Sequence, residues 1–384
     1  MLKRRSKHGP IGLDIGASSI KMLQLTGLGS QPVVLAAEHK EISRGTSDRS
    51  EFIRAVISDA LRNKPFRGRN VVLSLGSGEF QMKNVRLPRM PASELASAVA
   101  FEAQERFGFG ESAAQIRHIP VGEVRHGDEV KEEVIVLAAH NEVVDQRLAL
   151  LDSLKLRPLA IDIAPCAVAR SFSRFLRREE DADSINVFLD VGHRGTAVIF
   201  LRGMEVAFLK LLDTGGQVLN QAVAQALGLS EKEAGDLRLR IMHEGSGRRA
   251  TDRDLVPEEI KGSATDAVRP CIERLHRDLL LCLRYFAVTF RGRKPESLTL
   301  AGGEAHEPLL ARTIAESVEI PCIIGSPLRG MGGLDLIGGR ERRSLQPAWA
   351  VACGLALRGT QWVEGGSCSS SGLTKALSTA GAAA

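Results

Sequence analysis

Tyrosine is nearly missing from this chain of 384 residues: there is one, beside two tryptophans, and aromatics make up 4% of the whole. That scarcity argues against a base-stacking surface, and no nucleic-acid partner is expected. Long apolar runs are lacking too, so no segment is expected to span a bilayer, and the start has no signal-peptide core. The six cysteines, Cys166, Cys271, Cys282, Cys322, Cys353 and Cys368, contain no Cys-x-x-Cys spacing. Most lie in apolar segments and read as reduced thiols of a cytoplasmic protein, with no metal cluster. Charge of one sign is not in large excess: the net charge is +5, part of it in the tail Lys3-Arg4-Arg5-Ser6-Lys7, which reads as solvated. What remains is an ordinary globular composition, 43% hydrophobic and 25% charged, in a chain long enough for two or three domains.

The most informative stretch is Ile11-Gly12-Leu13-Asp14-Ile15-Gly16-Ala17-Ser18-Ser19-Ile20-Lys21. An apolar strand runs into one acid, then a small-residue turn, two hydroxyls and a lysine. Gly16 and Ala17 leave no bulk between an anion and the backbone N–H groups. Asp14 suits a divalent metal or its water shell, and Ser18, Ser19 and Lys21 offer donors to phosphate oxygens. The plain alternative is a strand and an ordinary hairpin turn with one exposed acid.

Further along, 21–25 and 31–42 read as strands around the turn Gly27-Leu28-Gly29-Ser30, followed by a helix over 51–63 and a buried strand over 71–75. Residues 80–156 read as strand, helix, two paired strands and helix, a small α+β unit set into a larger domain. A strand at 158–163 and a helix through Phe175 return to that domain, and the charged run 177–183 marks a boundary.

Beyond it, Leu189-Asp190-Val191-Gly192 repeats Leu13-Asp14-Ile15-Gly16, and the flanking pattern repeats with it: two more strands, then a helix from Gly215-Gly216. A four-residue match arises easily by chance; the matching context points to a duplicated domain with two acidic turns facing across a cleft. Residues 218–227 and 230–242 read as helices, 243–263 as a mobile Gly- and charge-rich loop, and 264–290 as a long helix. A strand at 297–300 ends in Ala301-Gly302-Gly303-Glu304, a helix spans 308–317, and a short strand 322–324. Residues 349–357 form a small-residue helix, and the Gly-, Ser- and Ala-rich tail from Gly365 should be disordered.

Taken together, Asp14-Ile-Gly-Ala-Ser-Ser, Asp190-Val-Gly-x-x-Gly-Thr, Leu300-Ala-Gly-Gly-Glu and the helix at 349–357 resemble the actin/Hsp70/sugar-kinase ATPases. Within that superfamily the helix Val99-Ala-Phe101-Glu102-Ala-Gln-Glu-Arg-Phe107-Gly-Phe109 is similar to the signature of the PilM family of type IV pilus assembly. Segments 161–170 and 215–217 share the likeness, which covers roughly residues 10 to 360. It implies an α/β chain with the duplicated actin-like (ribonuclease H-like) ATPase fold and an inserted small α+β subdomain. The expected division has tails at 1–9 and 363–384, a first half from 10–79 and 157–180, and the insertion at 80–156. A second half follows at 184–345, with helical 217–295 inserted in it, and a terminal helix at 346–362 returns to the first half.

The resemblance also implies ATP and Mg2+ as cofactors. The phosphates fall to Gly12, Asp14, Gly16, Ala17, Ser18, Ser19 and Lys21 on one side and Gly192, Arg194, Gly195 and Thr196 on the other. Gly215, Gly216, Arg238, Gly302, Gly303 and Glu304 border the adenosine, and Asp14 and Asp190 hold the metal. Phe101, Glu102, Phe107 and Phe109 border a groove for the cytoplasmic N-terminal peptide of a PilN-like inner-membrane protein. Other pilus components are further partners, and the membrane is reached through them. Three positions depart from the family pattern: His193 and Arg194 stand where small or hydroxylic residues are usual, and Gly235 replaces the acid that meets the ribose. Two other readings of the same fold are a small-molecule kinase, whose one candidate base is Asp162, and an FtsA-like division or polymer-forming protein. The tail after Gly365 lacks the basic-flanked apolar face of FtsA.

Overall fold

The computed structural model describes residues 8–27, 31–42, 48–109, 113–126, 129–245, 255–290, 294–337 and 345–358. The expected tails fall mostly outside these residues, as do Cys368 and Leu28 to Ser30 of the first turn. Strands β1 (His8–Ile15), β2 (Ser19–Thr26) and β3 (Val33–Glu41) form an antiparallel meander. Helix α1 (Arg49–Asn63) starts two residues before its expected position because Asp48 caps it, accepting from the Glu51 amide. It lays Ile53, Ile57 and Ala60 over Ile11, Leu13 and Leu73. Strand β4 (Asn70–Leu75) then pairs parallel with β1.

Next come β5 (Gln81–Pro88), α2 (Ala92–Phe107), β6 (Ala114–His126), β7 (Glu129–His140) and α3 (Asn141–Ser153). The three strands make their own sheet, in the order β5-β7-β6, with Leu95, Val99 and Ala103 of α2 packed on Val85, Leu87, Val134 and Val136. Strand β8 (Arg157–Ile163) rejoins the first sheet beside β4, and α4 (Ala164–Ser173) follows it.

The second set mirrors the first. Strands β9 (Ile185–Val191), β10 (Thr196–Arg202) and β11 (Glu205–Leu212) form a meander, followed by α5 (Gly216–Leu227), α6 (Glu231–Gly245) and α7 (Glu258–Thr289). Strand β12 (Ser297–Ala301), α8 (Pro308–Ser317), β13 (Cys322–Ile324) and α9 (Ala350–Ala356) follow among the described residues. The sheet orders are β3-β2-β1-β4-β8 and β11-β10-β9-β12-β13, the same topology twice, with the last two strands parallel in each. This is the actin-like duplication, two sheets of one design.

Helices α4 and α9 lie against each other between the sheets. A Cβ on Gly354 would stand 1.7 Å from the Ala167 carbonyl, and one on Gly12 2.5 Å from that of Ala352. The small residues of 349–357 are therefore what lets α9 approach both β1 and α4. One expectation needs correction: the loop over 243–263 is shorter than its composition suggests. Helix α6 continues to Gly245 and α7 begins at Glu258, with Lys261 pairing at 2.7 Å both with Glu244 across the gap and with Glu258 in its own first turn. Only 246–254 in that stretch lie outside the described residues.

Candidate functional site

Both meanders turn their first corner in the same way. The amide of Gly16 donates to Ser19 O at 2.9 Å, and that of Gly192 to Gly195 O at 3.0 Å. In the strand registers, Asp14 lies opposite Lys21 and Asp190 opposite Ala197. Cross-strand neighbours share a face, so the acid–lysine spacing read from the sequence becomes a side-by-side pair in the first hairpin and leaves an acid without a lysine in the second. Lys21 is buried and donates to Ser19 Oγ at 2.6 Å.

What holds the turns from behind differs. In the second, the first amides of α5 do it: Gly216 donates to Gly192 O at 3.0 Å and Gln217 to His193 O at 2.7 Å. In the first, the equivalent carbonyls are taken by one side chain, since Arg49 donates through Nη2 to Gly16 O at 2.7 Å and through Nη1 to Ala17 O at 2.9 Å. A guanidinium fork thus does on one side what a helix N-terminus does on the other.

The two turns face each other across a cavity of about 510 Å³, a size suited to a small organic ligand. Its walls include Asp14, Gly16, Ala17, Ser18, Ser19, Lys21, Asp190, Gly192, Arg194 and Gly195, together with Arg238, Gly302, Gly303 and Glu304. Four expected site residues do not line it. Gly12 lies under α9, and Thr196 is buried and donates to Thr214 O at 2.6 Å. A Cβ on Gly215 would meet Gly195 N at 2.5 Å, and one on Gly216 would meet Glu304 Oε1 at 1.9 Å. These four build the walls rather than face the ligand.

Electrostatics divide the cleft. On its floor, burial pushes the Asp190 carboxyl up to about 7, aided by the charge of Asp14 and opposed by Lys21. Burial raises Asp14 as well, against Lys21 and His39. Two desolvated acids side by side are costly until a cation or proton joins them. At one end, Arg238 of α6 donates to Asn220 Oδ1 at 2.8 Å, Glu304 Oε2 at 2.7 Å and Glu307 Oε2 at 2.6 Å. Burial lowers its pKa, but the two glutamates outweigh that and hold it raised. Arg238 is thus fully committed to its own neighbours, and Gly303 at that end faces open space.

The other end is cationic. Arg49, Arg147 of α3 and Arg194 line it with Glu79, which accepts from Arg147 and, through Oε2, from the Gly76 amide at 2.8 Å. Arg49, Arg147 and Glu79 were missed in the sequence, where each is one charge among many on remote segments.

The expected partner residues cluster around α2. Phe101 is 62% exposed on the outer face of that helix, not in its core. Glu102 pairs with Arg106 at 2.6 Å, one turn on. Phe107 and Phe109 stack with centroids 5.6 Å apart, and Phe109 meets the His140 ring at 4.5 Å. Asp162, the candidate base of the kinase reading, is away from the cleft. It is buried between Arg170, at 2.8 Å, and Arg358. Burial pushes it up, but the two arginines together hold it below the ordinary carboxylate range, so it serves an internal ion pair and does not line the cavity.

Residues 12–360 match the family described as Type IV pilus assembly protein PilM. The fold is similar to a chain of the PilM-PilN type IV pilus biogenesis complex, with a TM-score of 0.73 and 24% identity over 94% of this chain and 100% of that one. It is also similar to ethanolamine utilization protein EutJ from Carboxydothermus hydrogenoformans, with a TM-score of 0.51 and 13% identity over 92% and 90% of the two chains.

Proposed function

Because the chain belongs to the family of the type IV pilus assembly protein PilM, we propose that it is the actin-like scaffold of a pilus assembly machine. In this reading it holds Mg-ATP in the cleft and takes the cytoplasmic N-terminal peptide of a PilN-like inner-membrane protein beside α2. The observation that carries the nucleotide reading is the doubled turn: two hairpins of one geometry bring Asp14, Lys21 and Asp190 to one cavity. The residues fit the group. Gly302 has φ +89°, and a Cβ there would stand 2.8 Å from Asp190 Oδ1, so this corner admits only glycine and leaves the carboxylate open. Two carboxylates with room for waters and phosphate oxygens suit Mg2+, which seldom takes an all-protein cage. Asp14 and Asp190 would hold the metal or its waters, whose charge would offset that of the phosphates; Lys21 and the turn amides would hold the phosphates, and Arg238, Gly303 and Glu304 would border the nucleoside.

For the partner, the support is Phe101, a large apolar side chain held in water by a helix whose other face is packed. No described helix is long and apolar enough to cross a membrane, so in this reading the partner's own span fixes the scaffold at the inner membrane. The test has two arms. Mg-ATP should raise the melting temperature of the wild type and not of Asp14→Ala. A synthetic PilN-type N-terminal peptide should bind the wild type and lose at least about tenfold in affinity with Phe101→Ala, the scale of one buried aromatic anchor. Absence of peptide binding, with and without nucleotide, would sink the scaffold reading.

A further inference from the structure

Three arginines converge at one end of the cleft, and they differ in what already occupies them. Arg49 is committed to two carbonyls of the first turn, and Arg147 to Glu79. Arg194 is exposed at the tip of the second turn, and among the described residues no carboxylate lies within ion-pair distance of it. Its Nη1 reaches across the cavity, to 3.9 Å from where a Cβ on Gly78 would stand, on the loop that follows β4. Gly78 has φ +89°, a conformation that glycine adopts without strain. The three guanidiniums feel one another: burial lowers the pKa of Arg49, and the charges of Arg194 and Arg147 lower it further against Glu79.

This asymmetry orients an anionic ligand. Around Arg238 the cavity lining sets the acids Glu231, Asp236 and Glu304 against Arg238 and Lys232, whereas at this end three guanidiniums gather around Glu79. The phosphate tail of a nucleotide is drawn to the second, and its last, doubly charged group meets the arm that has no partner. We propose that Arg194 is a specificity-determining residue: it bridges the mouth of the cleft and makes the site select a nucleoside triphosphate over the diphosphate, Arg147 assisting from the opposite wall. This inference rests on the nucleotide reading above. A guanidinium on a terminal phosphoryl group forms charge-assisted, two-pronged hydrogen bonds that a diphosphate one group shorter does not reach.

The experiment measures Mg-ATP and Mg-ADP binding by calorimetry to the full chain, for the wild type, Arg194→Ala and Arg194→Lys, after thermal melts confirm that the variants fold. The wild type should prefer Mg-ATP. Arg194→Ala should lower that preference by about ten- to a hundredfold, the scale of a lost hydrogen bond to a charged group. Mg-ADP affinity should stay within about twofold, and the lysine variant should fall between. Equal loss for both nucleotides, an unchanged preference, or tighter Mg-ATP binding by Arg194→Ala, as expected of a side chain that merely blocks the site, would each overturn the inference while leaving nucleotide binding intact. A wild type that binds neither nucleotide would overturn the reading beneath it.

Discussion

Asp190 keeps its proton to about pH 7 in the fold, against 3.8 ordinarily, chiefly because it is buried. Between those two values the folded chain binds more protons than the unfolded one, so this group makes stability fall as pH rises from about 4 to about 7. In metal-free protein, melts across that window should show the decline, and Asp190→Asn should flatten it and melt above the wild type beyond pH 7. The same variant should lose the Mg2+-dependent part of nucleotide binding. Arg49 acts differently, by fixing the carbonyls of Gly16 and Ala17. Arg49→Ala should weaken Mg-ATP and Mg-ADP alike, by about tenfold for two lost hydrogen bonds, and millimolar guanidinium should restore part of the affinity to this variant but not to Asp14→Ala. The acids, glycines and lysine of the site were legible because they sit in two short repeated strings. Arg49, Arg147 and Glu79 were not, because their neighbours in space belong to other elements, and one charge on a helix carries no local signal.

At the scale of elements, what brings α9 against α4 is the absence of a side chain at Gly354. Its Cβ would stand 1.7 Å from the Ala167 carbonyl, a backbone atom that can yield only by moving the helix. Gly354→Ala should therefore destabilise the protein by about 1–3 kcal/mol or more, the range of overpacked cores, read from denaturant midpoints at constant slope. Gly262→Ala in α7, where a Cβ meets open space, should instead stabilise by up to about 1 kcal/mol. The contrast also explains which elements the sequence revealed. The strands of both meanders and α1 have strict apolar spacing over a buried face, as with Ile53, Ile57 and Ala60, so pattern alone locates them. The first turn of α7 is Glu258-Glu259-Ile260-Lys261, held by ion pairs with Glu244 and Glu258 rather than by an apolar face, and composition there resembles a loop.

At the scale of the whole molecule, the three-stranded sheet is tied to the second five-stranded sheet through the chain's one tyrosine. Tyr285 of α7 donates to Glu133 Oε1 of β7 at 2.8 Å, Arg86 of β5 binds Glu133 Oε2 through Nε at 2.9 Å, and Arg86 Nη2 donates to Tyr285 Oη at 3.1 Å. The Tyr285 ring also rests on Phe208 of β11, with centroids 5.4 Å apart. Glu133 is nearly inaccessible to water, and Tyr285 and Arg86 each satisfy one of its oxygens. Eleven residues before Tyr285, or roughly 16 Å along the helix, Arg274 donates to Thr214 Oγ1 at 3.3 and 3.2 Å, behind the second turn. One helix therefore touches both the wall of the cleft and the sheet that carries α2. Tyr285→Phe keeps the ring on Phe208 and removes one donor, at a cost of about 1 kcal/mol. Tyr285→Ala removes both, and should let the three-stranded sheet detach ahead of the rest. Hydrogen exchange would show this as faster exchange in β5, β6 and β7 with β9 and β10 unchanged, strongest in Tyr285→Ala and weaker in Tyr285→Phe. Equal acceleration in both five-stranded sheets would mean that the contact supports overall stability, not the docking of this one sheet.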